Sequence, residues 1–265
     1  MKLWIIPVGT FDADVGTLTP QDRSGNRLSF PVYAYLVDMG GRWLLFDTGC
    51  SRTLMTDPQH ILGSAVASLT PVMDPNRDYI TARLGALGVD PSRIDIVATS
   101  HMHFDHAGAN ADPAWSRAEF WVQRAEWDAV SATPRRYPDG GWHPQAGVRV
   151  RLIDGDVPVA PGVTLVATPG HTPGHQSLML QFPGGGGVFI TSDAVYSRSH
   201  YDPAHVGTAA DPAISALSVQ KIQALCRQHD LVPFFSHDPQ QAQAEGWRLA
   251  PDAYAEGKFP TPQPT

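Results

Sequence analysis

Three histidines and an aspartate fall within six residues of this chain, in the string SHMHFDHAG over residues 100–108. Crowding His101, His103, Asp105 and His106 into one short segment is costly unless a cation draws their lone pairs together. His101 and His103 are two residues apart, so in an extended segment they face the same way. A tight turn then swings Asp105 and His106 elsewhere. The natural product is two imidazoles on one ion, and a carboxylate plus an imidazole on a second. Neutral imidazole and carboxylate suit Zn2+, and also Mn, Fe or Co.

The string follows a short apolar, β-branched run at 94–99, which places it at the end of a strand. Other strands are expected over 3–8, 32–38, 43–47, 119–122, 148–153, 163–167, 177–182, 188–191 and 231–235. Helices are expected from Asp78, where Ile80, Leu84 and Leu87 keep helical spacing, over 124–130, and after Asp211-Pro212, a good cap pair. Polar residues recur where strands stop: Asp47, His101, His171, Asp193 and His237. Strand-rich segments followed by helices in both halves predict an α/β sandwich of two mixed sheets flanked by helices, with these strand ends sharing one rim. The segment 51–76 is long for a connector and is expected to be a lid or an oligomer contact, which makes a homodimer plausible. No linker or repeat divides the 265 residues, a length within reach of one large α/β domain over 1–265, with residues 251–265 as a frayed tail.

Composition narrows the function. Nineteen basic residues stand against 26 acidic ones, a net charge of −7, and no run of Lys and Arg occurs. A nucleic-acid or anionic-membrane partner is therefore not expected. The longest apolar runs are strand length, too short to span a bilayer. Cys50 and Cys226 are the only cysteines, so disulfides do not carry the fold, and each is expected to be a small buried hydrophobe. The N-terminal MKLWIIPVGTF lacks the pattern of a signal peptide, and a cytoplasmic location is the default.

The HxHxDH string resembles the metal-binding signature of the metallo-β-lactamase superfamily. His171 after TPG, Asp193 in TSDAVY and His237 in FSHD match the remaining positions. Within the superfamily the chain looks most like the N-acyl-homoserine lactone lactonases, through FPVYAYLV, LLFDTG, SHMHFDHAGAN, TPGHTPGHQSL, SDAVY and FFSHD. The resemblance covers roughly residues 1–240. It implies an αββα sandwich and two Zn2+ ions. His101, His103 and His171 would hold the first ion, Asp105, His106 and His237 the second, and Asp193 would bridge them. It also implies opening of the lactone ring by metal-bound hydroxide to give an N-acyl-homoserine, the reaction of quorum quenching. Tyr196 would hydrogen-bond the lactone carbonyl or the developing oxyanion. Asp105 would carry a proton to the leaving oxygen, and Asp47 would orient a ligand histidine.

The substrate side is weakly encoded. Phe104, between ligand positions, is a candidate wall of the lactone site, and His200 and His205, after Tyr196, are candidates for its border. Phe11, Val15, Met55, Ile61, Leu62 and Leu69 are candidates for an acyl groove. His175 is read as a hydrogen-bonded structural residue, and His60, His143 and His229 as ordinary loop or helix-end residues. The alternative substrate is another small lactone or ester such as pyridoxolactone. A glyoxalase-type thioesterase would need a basic cluster near the C-terminus, and none is present. A member that binds metal without turnover would be expected to have lost a ligand, and all seven positions are filled.

Overall fold

The computed structural model describes residues 1–133, 137, 143–255 and 259–260. Part of the polar stretch 131–147, whose Pro and Gly content reads as loop, and residues 256–258 and 261–265 of the expected tail lie outside the described residues.

Among the described residues the chain builds two sheets. The first has seven strands: β1 (Lys2–Asp14), β2 (Arg27–Asp38), β3 (Trp43–Phe46), β4 (Leu69–Val72), β5 (Ile96–Ala98), β6 (Glu119–Gln123) and β7 (Arg149–Ile153). Their spatial order is β4-β1-β2-β3-β5-β6-β7, antiparallel from β4 to β3 and parallel from β3 to β7. The second contains β8 (Val157–Ala160), β9 (Val163–Ala167), β10 (Gln176–Gln181), β11 (Gly187–Ile190) and β12 (Leu231–Phe234), in the order β12-β11-β10-β9-β8. Only β11 and β12 run parallel there.

The period of two along β2 shows how the layers form. Tyr33, Tyr35 and Val37 face the second sheet, where Leu165, Leu178, Val188, Ile190 and Phe234 join them in one buried core. Val32, Ala34 and Leu36 face the other way, under Leu54 of α1 (Arg52–Thr56) and Ile80 and Leu84 of α3 (Ile80–Ala86). Beside them, Ala129 and Val130 of α4 (Arg124–Ala132) pack with Val122. On the far face of the second sheet, Val219, Ile222 and Cys226 of α5 (Pro212–His229) cover Val166, Met179 and Phe189. The result is the expected helix–sheet–sheet–helix sandwich, with both cysteines buried. Among the described residues, no helix is long and apolar enough to cross a membrane.

Several expectations need revision. The first strand does not stop near residue 8. It passes a bulge between Pro7 and Gly9, where Gly9 takes φ +134°, and pairs with β2 to Asp14. The segment 51–76 is not one loop. It holds α1, α2 (Pro58–Leu62) and β4, which hydrogen-bonds the outer half of β1 and brings Pro71 to a sheet edge. β8 and the short α6 (Gln241–Ala244) were not foreseen. The beginning of the expected frayed tail is docked: Leu3 and Tyr254 exchange both backbone hydrogen bonds at 2.8 Å, and Phe259 stacks on Tyr254 at 4.8 Å. Two aromatic residues, Tyr254 and Phe259, anchor this segment to the core.

Candidate metal centre and cavity

β3, β5, β9, β11 and β12 all end at one rim of the sandwich. Asp47 follows β3, His101 and its string follow β5, His171 follows β9, Asp193 follows β11 and His237 follows β12. All seven expected ligand residues are brought together there, in two groups. His101, His103, His171 and Asp193 converge in one, and Asp105, His106 and His237 in the other.

In the first group, His101 Nε2, His103 Nδ1 and His171 Nε2 form a triangle with edges of 3.0, 2.9 and 3.1 Å. Asp193 stands between the groups. Its Oδ2 lies 3.6 Å from His101 Nε2 and 3.3 Å from His171 Nε2, while its Oδ1 lies 3.1 Å from both His106 Nε2 and His237 Nε2. Asp105 Oδ2 completes the second group, 3.6 Å from His106 and 3.7 Å from His237.

The outward nitrogens of four of the five imidazoles are engaged. His106 Nδ1 donates to Asp47 Oδ2 at 2.9 Å, His237 Nδ1 to the Pro31 carbonyl at 2.7 Å, and His171 Nδ1 to the Thr208 carbonyl at 2.9 Å. The Ser100 hydroxyl donates to Asp47, so it accepts from His101 Nδ1 at 3.0 Å. This network assigns the protons to Nδ1 and turns the bare Nε2 lone pairs of these four imidazoles inward. Asp47 and Ser192, which frame the rim, are both non-glycine residues with positive φ, +62° and +47°. Asp47 is held there by the Ser100 N–H at 2.7 Å.

The chemistry of the donor set fits divalent cations. Five imidazoles, the Asp105 carboxylate and the Asp193 carboxylate between the groups offer nitrogen and oxygen ligands, with no Lys or Arg among the clustered residues. Moreover, His106 Nε2 and Asp193 Oδ1 are buried with no partner at hydrogen-bond geometry, although they are only 3.1 Å apart. Two such groups left unmatched cost about 1–3 kcal/mol each, which a cation between them would remove.

Electrostatics divide the two groups. Burial pushes His101 and His103 well below the ordinary imidazole range, so both stay neutral. Burial also opposes charge on His106 and His237, but the carboxylates of Asp193 and Asp105 outweigh it and raise both. Burial would raise Asp193 in turn, yet His106 and His237 hold it well below the usual carboxylate range. Protons therefore compete with a cation at His106 and His237 more than at His101 and His103.

A cavity of about 280 Å3 opens onto the centre. His103, Asp105, His171, Asp193 and His237 form its polar floor, and Phe11, Leu18, Phe30, Leu69 and Phe104 its apolar walls. Phe104 meets Phe11 edge-on at 5.9 Å. Tyr196 also lines the cavity, with its hydroxyl 2.9 Å from His171 Nδ1 and donating to the Thr208 carbonyl at 3.0 Å. Of the other candidates, Met55, Ile61 and Leu62 belong to the core under the first sheet. His205 does not line the cavity: its side chain is exposed and paired with Asp202 at 2.8 Å. His200 is buried behind Tyr196, bonded to Thr19 and Ser197. His175 is fully buried on Thr168, as expected of a structural residue. Thr17, Leu18, Phe30 and Thr208 were missed. The strand pattern around Phe30 was the only available signal, because Thr208 acts through its carbonyl.

A model of the metallo-β-lactamase superfamily matches residues 28–250. The chain belongs to the metallo-β-lactamase superfamily. Within this superfamily it is similar to the N-acyl homoserine lactonase of Bacillus thuringiensis, at 31% identity over 241 residues, covering 91% of this chain and 94% of the relative. It is 29% identical to the N-acyl homoserine lactonase AttM of Rhizobium radiobacter, over 96% of this chain and 99% of the relative. Among solved structures, a variant of B. thuringiensis AiiA with N-decanoyl-L-homoserine bound at the active site superposes with a TM-score of 0.86 at 29% identity, over 96% of this chain and 98% of that one. An N-acyl homoserine lactone hydrolase with the product N-hexanoyl-L-homoserine at its catalytic metal centre gives 0.84 at 30% identity, with the same coverage.

Proposed function

We propose that this metallo-β-lactamase-superfamily chain is a dinuclear-metal hydrolase that opens the lactone ring of N-acyl-homoserine lactones. The observation that carries the reading is Asp193, whose two oxygens face two separate donor groups on the floor of an apolar-walled cavity. The lactonase relatives and the product-bound structures support the substrate class. His101, His103 and His171 would hold one cation, Asp105, His106 and His237 the other, and Asp193 both, with Zn2+ the best match to the donors. Bound there, the cations would supply Lewis acidity toward the lactone carbonyl and lower the pKa of water.

The residues of the chain do the rest. Phe11, Leu18, Phe30, Leu69 and Phe104 would exclude water and take the acyl chain. Asp105, which lines the cavity floor, would carry a proton to the leaving ring oxygen. Burial keeps the Tyr196 hydroxyl protonated, well above the ordinary tyrosine range. Its one proton goes to the Thr208 carbonyl before substrate binds. Giving up that neutral bond costs about 1 kcal/mol, and a charge-assisted bond to a developing oxyanion returns roughly twice as much.

The test is proton release on lactone opening by zinc-loaded protein, with and without chelator. Short- and long-chain acyl-homoserine lactones would be compared with pyridoxolactone and a glutathione thioester. Chelator-sensitive opening of the acyl-homoserine lactones, at kcat/KM above ~10⁴ M⁻¹s⁻¹, is the expected result. Turnover of another panel member alone would overturn the substrate assignment.

A further inference from the structure

One buried carboxylate near the centre has no part in the reaction described above. Glu126 lies in the first turn of α4 and is fully inaccessible to solvent. Its Oε1 accepts from the Met102 N–H at 2.9 Å. Its Oε2 accepts from the Thr172 hydroxyl at 2.6 Å and from the Gly174 N–H at 3.1 Å. Tyr137 adds a further favourable interaction with the carboxylate.

These donors flank the histidines of the first group, although the loop that holds Met102 runs on into Asp105 and His106. Met102 sits between His101 and His103, and Thr172 directly follows His171. Glu126 thus ties together the two loops that carry every histidine of the first group. The imidazoles of the second group are fixed by other residues: His106 by Asp47, and His237 by the Pro31 carbonyl. The contact is also tight. A Cβ on Gly174 would come within 2.0 Å of the Glu126 backbone nitrogen, so the His171 loop rests directly on the first turn of α4. A carboxylate at that turn also suits the positive end of the helix.

We propose that Glu126 is a positioning residue for one half of the metal centre, holding the His101–His103 loop against the His171 loop. The proposal rests on the metal-centre reading given above. A carboxylate fits the task because it offers only acceptors to a set of donors. An amide of the same shape must turn its NH2 toward one of them, leaving two donors opposed and one loop unheld.

The experiment measures zinc affinity by competition with a chromophoric chelator, independent of turnover. His237→Ala isolates the first half and His103→Ala the second. Glu126→Gln is then placed in each background, with far-UV circular dichroism as the check on folding. The expected result is a loss of about tenfold or more in zinc affinity for the first half, and less than about twofold for the second. Equal losses in both halves would mean a general loosening of the fold and would overturn the proposal, as would no loss in either. Thr172→Val removes only the 2.6 Å bond and should weaken the same half to a smaller degree; it decides the matter if Glu126→Gln does not fold. Failure of the unmutated protein to take up zinc would instead overturn the metal-centre reading itself.

Discussion

The two oxygens of Asp193 face different partners, Oδ2 toward His101 and His171, and Oδ1 toward His106 and His237. An amide cannot present two equivalent anionic oxygens, so Asp193→Asn should lose metal and activity together. Loss of an outer partner of a ligand already costs ~10–100-fold in affinity, and loss of the shared carboxylate should reach at least the upper end. Metal analysis beside kinetics checks it; retained metal with full turnover would remove the bridging role. Tyr196→Phe separates the two parts assigned to its hydroxyl. Turnover should fall roughly 10- to 100-fold, with metal content unchanged because His171 keeps the Thr208 carbonyl. Unchanged kinetics would leave Tyr196 only the task of orienting His171. At this scale the site was largely legible, because four donors lie in one six-residue string and the other three each follow a strand end. The partners of those donors were not. Pro31 and Thr208 hold imidazoles through their carbonyls, which any residue type supplies, so no side chain marks them.

Elements with a strong period or a cap were equally readable. α5 begins where Asp211-Pro212 announces it, and the Asp211 carboxylate accepts from the Ala213 and Ile214 N–H groups, both at 3.1 Å. The same turn is stitched to the His171 loop, since Asp211 N–H donates to the Gly170 carbonyl at 2.9 Å and Ala210 N–H to the His171 carbonyl at 3.0 Å. Those bonds use backbone atoms and survive substitution. Asp211→Ala should therefore cost about 1 kcal/mol of stability in urea denaturation, with zinc affinity unaltered; a parallel loss of affinity would show that the cap also tensions the His171 loop. The unreadable elements share a cause. β4 is four residues with Pro71 inside, and its strand character comes from pairing with β1, far away in sequence. β8 likewise carries Pro158 and sits at a sheet edge. Short edge strands are made by their neighbours, and a chain read alone does not show which neighbours it will meet.

Across the whole molecule, converging five strand ends on one rim buries many ionisable groups, and this ties global stability to pH. His175 shows the sign most cleanly. It is fully buried, its Nδ1 shared between the hydroxyl and the carbonyl of Thr168 at 2.9 and 3.1 Å, and burial pushes its pKa down to about 3. In the unfolded chain an imidazole titrates near ~6.5. Above that pH both states are neutral and folding is unaffected. As pH falls from ~6.5 toward 3, the unfolded chain takes a proton that the native chain refuses, so stability drops. At pH 5 the loss from this one residue is about 2 kcal/mol, a large share of the 5–15 kcal/mol typical of native proteins. His175→Gln removes the titration while losing some packing. The variant should be the less stable protein at pH 7.5, and the gap should narrow by about 2 kcal/mol at pH 5, measured by urea denaturation of both proteins at each pH. A gap that stays constant would mean that His175 takes up its proton in the native state, and that the acid sensitivity of the fold lies with the other buried histidines of the rim instead.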